Sequence, residues 1–257
     1  MSGVPVRMHG LDVTYRARDA TDVSALHAVD LAVEAGQVVA IVGPSGCGKT
    51  TLLNVLAGFV PYRGEVSVGD RPPGGRRDIG YLFQRDTLLP WRSLQANVGF
   101  ALEIRGVGAA KRAAESRALL DRLGLGGFAN AYPHEVSGGM AKRAALAQAL
   151  IHAPPLVLLD EPFGALDAFT RAAVEQDLLR LIEQYGSTAL FVTHNLQEAI
   201  ALSDRVVVMS ARPGRIVGDH AIDLPRPRNV LDVQYTDRFA RFEKEIWAQL
   251  RDHVVVR

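Results

Sequence analysis

One octapeptide narrows the folds open to this chain more than any other feature. Gly43, Pro44, Ser45, Gly46, Cys47, Gly48, Lys49 and Thr50 spell G-x-x-x-x-G-K-T. The string lies between an apolar, strand-length run at 36–42 and a helix-forming stretch at 49–57. Strand, Gly-rich turn and helix in that order make a phosphate cradle. The glycines let backbone N–H groups turn inward around phosphate oxygens, and the helix start adds positive potential. In such a cradle Lys49 reaches the β- and γ-phosphates of a bound nucleotide and the Thr50 hydroxyl ligates Mg²⁺, with Thr51 completing the nucleotide-binding set.

A second signal lies about 110 residues further on, where four apolar residues of Leu156–Asp160 run into paired carboxylates. Asp160 is placed to hold the metal's water shell and Glu161 to orient or deprotonate an attacking water. Acidic residues at a strand end are by themselves unremarkable surface groups. Following a phosphate loop, they indicate a nucleotide hydrolase. A third signal, Ser137, Gly138 and Gly139, opens a helix. Ser137 is a good N-cap, and the amides after it face outward as an anion site. These residues alone would describe any capped helix; their place ahead of the Asp-Glu strand gives them meaning.

Short β-branched runs alternate with helical patterns, which predicts an α/β fold with a mostly parallel sheet. Strands are expected at 36–42, 79–83, 156–160, 188–193 and 205–209, with an antiparallel pair at 4–15 and 26–33. Helices are expected at 49–57 and 171–185, the latter stopping at Gly186. Between about 87 and 153 Ala/Arg/Leu-rich helical stretches, 109–123 and 138–152, replace the strands and predict a helical insertion. After about 217 the chain turns Pro/Arg-rich and ends in an amphipathic stretch, 238–250. The expected division is therefore an ATPase domain, 1–216, with the insertion at 87–153, and a short C-terminal extension, 217–257.

The net charge of +1 argues against a general electrostatic nucleic-acid binder. A single cysteine, Cys47, allows neither an intrachain disulfide nor a cysteine zinc cluster and fits a reducing compartment. With no uninterrupted apolar run of about 18 residues and no secretory signal at the N-terminus, the chain is expected in the cytoplasm.

Taken together, these strings resemble the ATP-binding cassette family, whose signature Leu-Ser-Gly-Gly-Gln is met here by Val136-Ser-Gly-Gly-Met140. Further matches extend over nearly the whole chain. Gln84 is similar to the glutamine that touches the metal and senses the transport partner. Gly164-Ala-Leu-Asp167 resembles the loop that carries Asp167 to the dimer interface, and His194 the switch histidine at the γ-phosphate. Tyr15 matches the aromatic residue stacked on adenine.

The resemblance implies a P-loop NTPase core of RecA-like type with an N-terminal antiparallel β subdomain and an inserted α-helical subdomain. It also implies a head-to-tail homodimer, with two ATP molecules sandwiched between the phosphate loop of one copy and Ser137–Gly139 of the other. Met140 resembles one branch, the ATPases of importers for nitrate, sulfonates and taurine. So do Leu88-Leu-Pro-Trp-Arg92, Tyr132-Pro-His-Glu135 and Glu161-Pro-Phe-Gly-Ala-Leu-Asp167. Two departures from that branch are Ala141-Lys-Arg143, where Arg-Gln-Arg is usual, and Asn195, where Asp is common.

The branch implies an integral-membrane permease and an extracytoplasmic solute-binding protein as partners, and a peripheral place on the cytoplasmic face of the plasma membrane. Sulfonate or taurine ranks first as solute and nitrate next, with bicarbonate and pyrimidine vitamin precursors open. The insertion is the expected docking surface for the permease; Leu89 and Trp91 serve it, or else pack the insertion's core. A DNA-repair or translation cassette is the rival from another class. It is disfavoured by a single phosphate loop and the lack of sustained heptads. A P-loop kinase would leave Ser137–Gly139, Asp167 and His194 as coincidences.

Overall fold

A computed structural model of the protein describes residues 3–16, 22–74, 78–84, 87–164 and 166–253. Both chain ends of the 1–216 and 217–257 division, and Ala165 of the 164–167 string, lie outside the described residues.

The central sheet is built around strands that are buried along their whole length and apolar except at Asp160 and Thr188. These are β3 (Val38–Val42), β6 (Leu156–Asp160) and β7 (Thr188–Val192), every residue of which is buried. Continuous apolar runs of this kind suit a parallel sheet covered on both faces. With β5 (Ile79–Leu82), β8 (Arg205–Met209) and β9 (Ile216–Ala221) they run in the order β5-β6-β7-β3-β8-β9. All neighbours are parallel except β9, which returns antiparallel to β8.

Alternation along each strand divides the core in two. Val38, Ala40, Val42, Val157 and Leu159 face the side covered by the insertion and the long helices. Val39, Ile41, Leu156 and Leu158 face the other side, where helix α1 (Lys49–Leu56) buries Leu52, Leu53, Val55 and Leu56. A separate antiparallel sheet closes over α1, in the order β2-β1-β4: β1 (Val6–Arg16), β2 (Asp22–Val33) and β4 (Arg63–Val68). The expected antiparallel pair is therefore three strands. β4 was missed because most of its residues are exposed or half-buried and its sequence, RGEVSV, is mixed.

The insertion consists of α2 (Leu94–Val98), α3 (Phe100–Ile104), α4 (Ala109–Arg122) and α5 (Gly138–Leu150), with two short 3₁₀ turns between α4 and α5. Leu119, Leu120, Ala144, Leu146 and Leu150 join it to the larger core. Helix α6 (Ala168–Tyr185) stops at Gly186 as expected, and buries Val174, Leu178, Leu179, Leu181 and Ile182. After α7 (Leu196–Leu202), the stretch beyond 216 supplies β9, α8 (Val230–Val233) and α9 (Asp237–His253). β8 is thus not the last strand of the sheet. α9 packs on α7 and β8, burying Phe239, Ile246 and Leu250.

Because β5, β6, β7 and β3 are parallel neighbours, their carboxyl ends share one edge. From that edge leave Gln84, Glu161, His194 and the 43–48 loop. In open α/β sheets this is where ligands bind.

Candidate active site

The loop after β3 owes its shape to steric limits at Gly48. Its φ is +105°, and a Cβ there would come within 2.7 Å of a Leu26 methyl and 2.8 Å of the Ala25 carbonyl. Only glycine satisfies both constraints. Lys49 is almost fully buried, and its ammonium donates to the Gly43 carbonyl at 2.7 Å and the Pro44 carbonyl at 2.9 Å. The loop is thus drawn around its own cation. Thr51 Oγ1 lies 3.3 Å from the Tyr15 hydroxyl, which puts the aromatic ring beside the start of α1.

Thr50 and Asp160 are 110 residues apart in sequence, yet the Thr50 hydroxyl donates to Asp160 Oδ1 at 3.0 Å. Burial raises the Asp160 pKa, opposed by the Thr50 hydrogen bond and seconded by the charge of Glu161. A buried carboxylate beside a hydroxyl is a hard-oxygen pair, the donor set Mg²⁺ takes when phosphates and waters supply the remaining ligands. Among the described residues no group of three or more His, Cys, Asp or Glu is arranged to hold a metal unaided. The residues present fit Mg²⁺ bound together with a nucleotide.

Glu161 takes a left-handed backbone conformation, φ +44°, while its N–H donates to the Val192 carbonyl of β7. Non-glycine residues there are uncommon, and such strain concentrates at functional positions. The side chain is gripped on both oxygens. Gln84 Nε2 donates to Oε2 at 3.0 Å, and His194 Nδ1 lies 3.5 Å from Oε1. The structure therefore brings the phosphate loop, Asp160, Glu161, Gln84 and His194 to one place.

Ser137, Gly138, Gly139 and Asp167 form a second group. Ser137 Oγ accepts from the Met140 N–H at 3.3 Å and caps α5; Asp167 Oδ1 accepts from the Thr170 N–H at 3.1 Å and caps α6. The Thr170 hydrogen bonds hold the Asp167 pKa below the usual carboxylate range. The two helix starts are in contact, since a Cβ on Gly139 would lie 2.4 Å from the Thr170 methyl. Among the described residues, the side-chain hydrogen bonds of Ser137 and Asp167 stay within their own helix starts and none goes to the phosphate loop.

Three charged side chains near the site escaped the sequence reading. Lys142, in the departure Ala141-Lys-Arg143, is buried with its ammonium 3.4 Å from the Phe83 and Gln84 carbonyls, tying α5 to the backbone of Gln84. Arg171 and Glu198 lie under the loops that carry Asp167 and His194. No local pattern separates these three from ordinary surface charges; only long-range packing buries Lys142 and Glu198 and half-buries Arg171.

At the edge of the insertion, Leu88 is the residue that fills the core, Leu89 is half-buried, and Trp91 is 71% exposed.

Comparisons with known proteins bear on the family and the fold. The family described as ABC transporter matches residues 26–164. An aliphatic sulfonates import ATP-binding protein of Xanthomonas axonopodis is 46% identical over 207 residues, covering 79% of this chain and 82% of that protein. A taurine import ATP-binding protein of Escherichia coli is 41% identical over 209 residues, covering 80% and 82%. Among solved structures, an ATP-binding cassette dimer in a post-hydrolysis state with ADP and Pi superposes with a TM-score of 0.77 at 30% identity. That match covers 86% of this chain and all of that one.

Proposed function

The chain belongs to the ABC transporter family and is an ATP-hydrolysing cassette of it, and from that premise we propose that it drives an importer for a small anionic or zwitterionic solute. Sulfonate or taurine ranks first and nitrate second, supported by the importers of sulfonates and taurine among its relatives. The observation that carries the enzymatic part is Glu161, held between Gln84 and His194 next to the Thr50–Asp160 contact.

Each residue then has a task. Tyr15 offers its ring to adenine. The backbone N–H groups of the 43–50 loop other than Pro44, which has none, together with Thr51 and the Lys49 ammonium bind phosphate oxygens, the ammonium leaving the Gly43 and Pro44 carbonyls to do so. Thr50, Asp160 and Gln84 hold Mg²⁺, which when bound neutralises phosphate charge. Glu161 accepts the proton of the attacking water, with Gln84 and His194 fixing the direction of its oxygens. His194 faces the γ-phosphate.

A second copy of the chain, head to tail, presents Ser137–Gly139 to that phosphate and Asp167 to the seam. The second group of residues makes its polar contacts within its own helix starts, which fits a role toward another molecule. ATP closes this homodimer and hydrolysis releases it. Trp91, exposed beside the path from Gln84, is the docking point for a permease, and a solute-binding protein completes the importer. No helix among the described residues is long and apolar enough to cross a membrane, in keeping with a peripheral place on the membrane's cytoplasmic face.

The test is ATP hydrolysis by the chain co-expressed with its permease and binding protein in liposomes, with taurine, alkanesulfonates, nitrate or pyrimidine precursors supplied. Stimulation by a sulfonate is expected. Stimulation by nitrate alone would overturn the solute ranking, and failure of any permease to assemble would overturn the importer. In the same system Glu161→Gln is expected to bind ATP and trap the closed dimer while losing about 10²–10⁴-fold in turnover. Wild-type turnover would remove Glu161 from its role.

A further inference from the structure

Beneath the loops that carry Asp167 and His194 lies a charge cluster formed by α6 and α7, buried at Glu198 and half-buried at Arg171. Glu198 is 7% exposed. Its Oε2 accepts from the Thr193 hydroxyl at 2.6 Å, and its Oε1 accepts from the Asn195 side-chain amide at 3.3 Å. Thr193 Oγ1 in turn accepts from the Asn195 N–H at 3.0 Å. One carboxylate therefore holds the residues on both sides of His194.

Arg171 continues the connection outward. Its Nη2 donates to the Leu166 carbonyl at 2.8 Å, and its Nε lies 3.8 Å from Glu198 Oε1. Its own N–H donates to the Asp167 carbonyl at 2.8 Å, so α6 is anchored to the same loop by main chain and side chain.

Burying ions is a costly way to pack two helices, and an apolar cluster of equal volume often does it as well or better. What the ions do that methyl groups do not is fix the directions of polar loop atoms. Here the atoms fixed are the Leu166 carbonyl, the Thr193 hydroxyl and the Asn195 amide, and they belong to the two loops that flank Glu161.

We propose that Arg171 and Glu198 are positioning residues that couple Leu166 and Asp167 to His194, so that movement of these two residues is delivered to the His194–Glu161 contact. The inference rests on the reading of Glu161 and His194 as the water-positioning carboxylate and its γ-phosphate-facing partner. It makes Asp167's loop an input to turnover. Whatever displaces that loop in the assembled transporter then sets the His194 geometry without touching the nucleotide.

The test uses the full chain in its permease complex, with Arg171→Met, Arg171→Lys, Glu198→Gln and, from the other end of the link, Thr193→Val. Nucleotide affinity, kcat, KM for ATP and solute stimulation are read for each, with His194→Ala as control. Arg171→Met and Thr193→Val are expected to lower kcat about tenfold and to flatten solute stimulation, with KM within about twofold of wild type. Arg171→Lys should recover part of the loss. Arg171→Met and Glu198→Gln together should cost less than the product of their separate effects.

If Arg171→Met fails to fold, Thr193→Val still probes the link, because it removes only the hydroxyl. Unchanged kcat and stimulation in folded variants, with His194→Ala impaired, would overturn the coupling alone. Full turnover in His194→Ala would overturn the reading beneath it, and the coupling with it.

Discussion

Glu175, on the same face of α6 as Arg171, offers a quantitative check on how this region is packed. It is 3% exposed, and burial, reinforced by the charge of Glu198 and opposed by Arg171, pushes its pKa from the ordinary 4.5 up to about 7. A carboxyl whose pKa is raised by folding stays protonated in the native state while the unfolded chain releases its proton. Below pH 4.5 both states are neutral and folding carries no penalty. As pH rises from 4.5 through about 7, stability is lost, and above 7 the full penalty applies. At ~1.4 kcal/mol per pH unit that interval amounts to about 3 kcal/mol.

Glu175→Gln keeps the side chain's shape and cannot ionise. It is expected to gain up to about 3 kcal/mol near pH 8 and almost nothing near pH 4.5. Urea unfolding of wild type and variant across this range reads the difference directly. The other acids raised by burial, Asp160, Asp177 and Glu198, tilt both curves alike, so the gap between the curves belongs to Glu175. Parallel curves would refute the argument that this carboxyl is neutral inside the fold.

Lys49→Ala is expected to abolish productive ATP binding and hydrolysis. It should also cost about 1–3 kcal/mol in thermal or urea unfolding, because the Gly43 and Pro44 carbonyls lose their donor. Trp91→Asp is expected to leave stability within about 0.5 kcal/mol and ATP binding intact while preventing co-purification with the permease; loss of folding would instead make Trp91 a packing residue.

The sequence made most of the nucleotide side of the site legible, for a physical reason. A phosphate cradle needs glycine where φ is positive and space is absent, as at Gly48, and a cation and a hydroxyl at fixed offsets, so its chemistry is written in consecutive residues. β3, β6, β7 and β8 were legible because strands buried on both faces carry unbroken apolar runs, interrupted here only at an end, by Asp160, Thr188 and Arg205. β4 and β9 were not. Arg63–Val68 and Ile216–Ala221 are polar, partly exposed strands whose place depends on β1 and β8 rather than on their own pattern. The roles of Lys142, Arg171 and Glu198 were invisible for a different reason: a charge on a helix looks solvated until the neighbours that bury it, wholly at Lys142 and Glu198 and in part at Arg171, are known.

The antiparallel return of β9 has a consequence for assembly. An unpaired strand at the margin of a sheet is a template on which another chain can add itself. Here one margin, β5, is four residues long and backed by α5, so close that a Cβ on Gly80 would lie 2.5 Å from the Ala149 carbonyl. The other margin, β9, carries Asp219 paired with Arg205, while Gln249 of α9 takes the Val217 carbonyl. Both margins discourage recruitment of a foreign strand. Two copies of this chain are thereby steered away from merging into a continuous ribbon through this sheet.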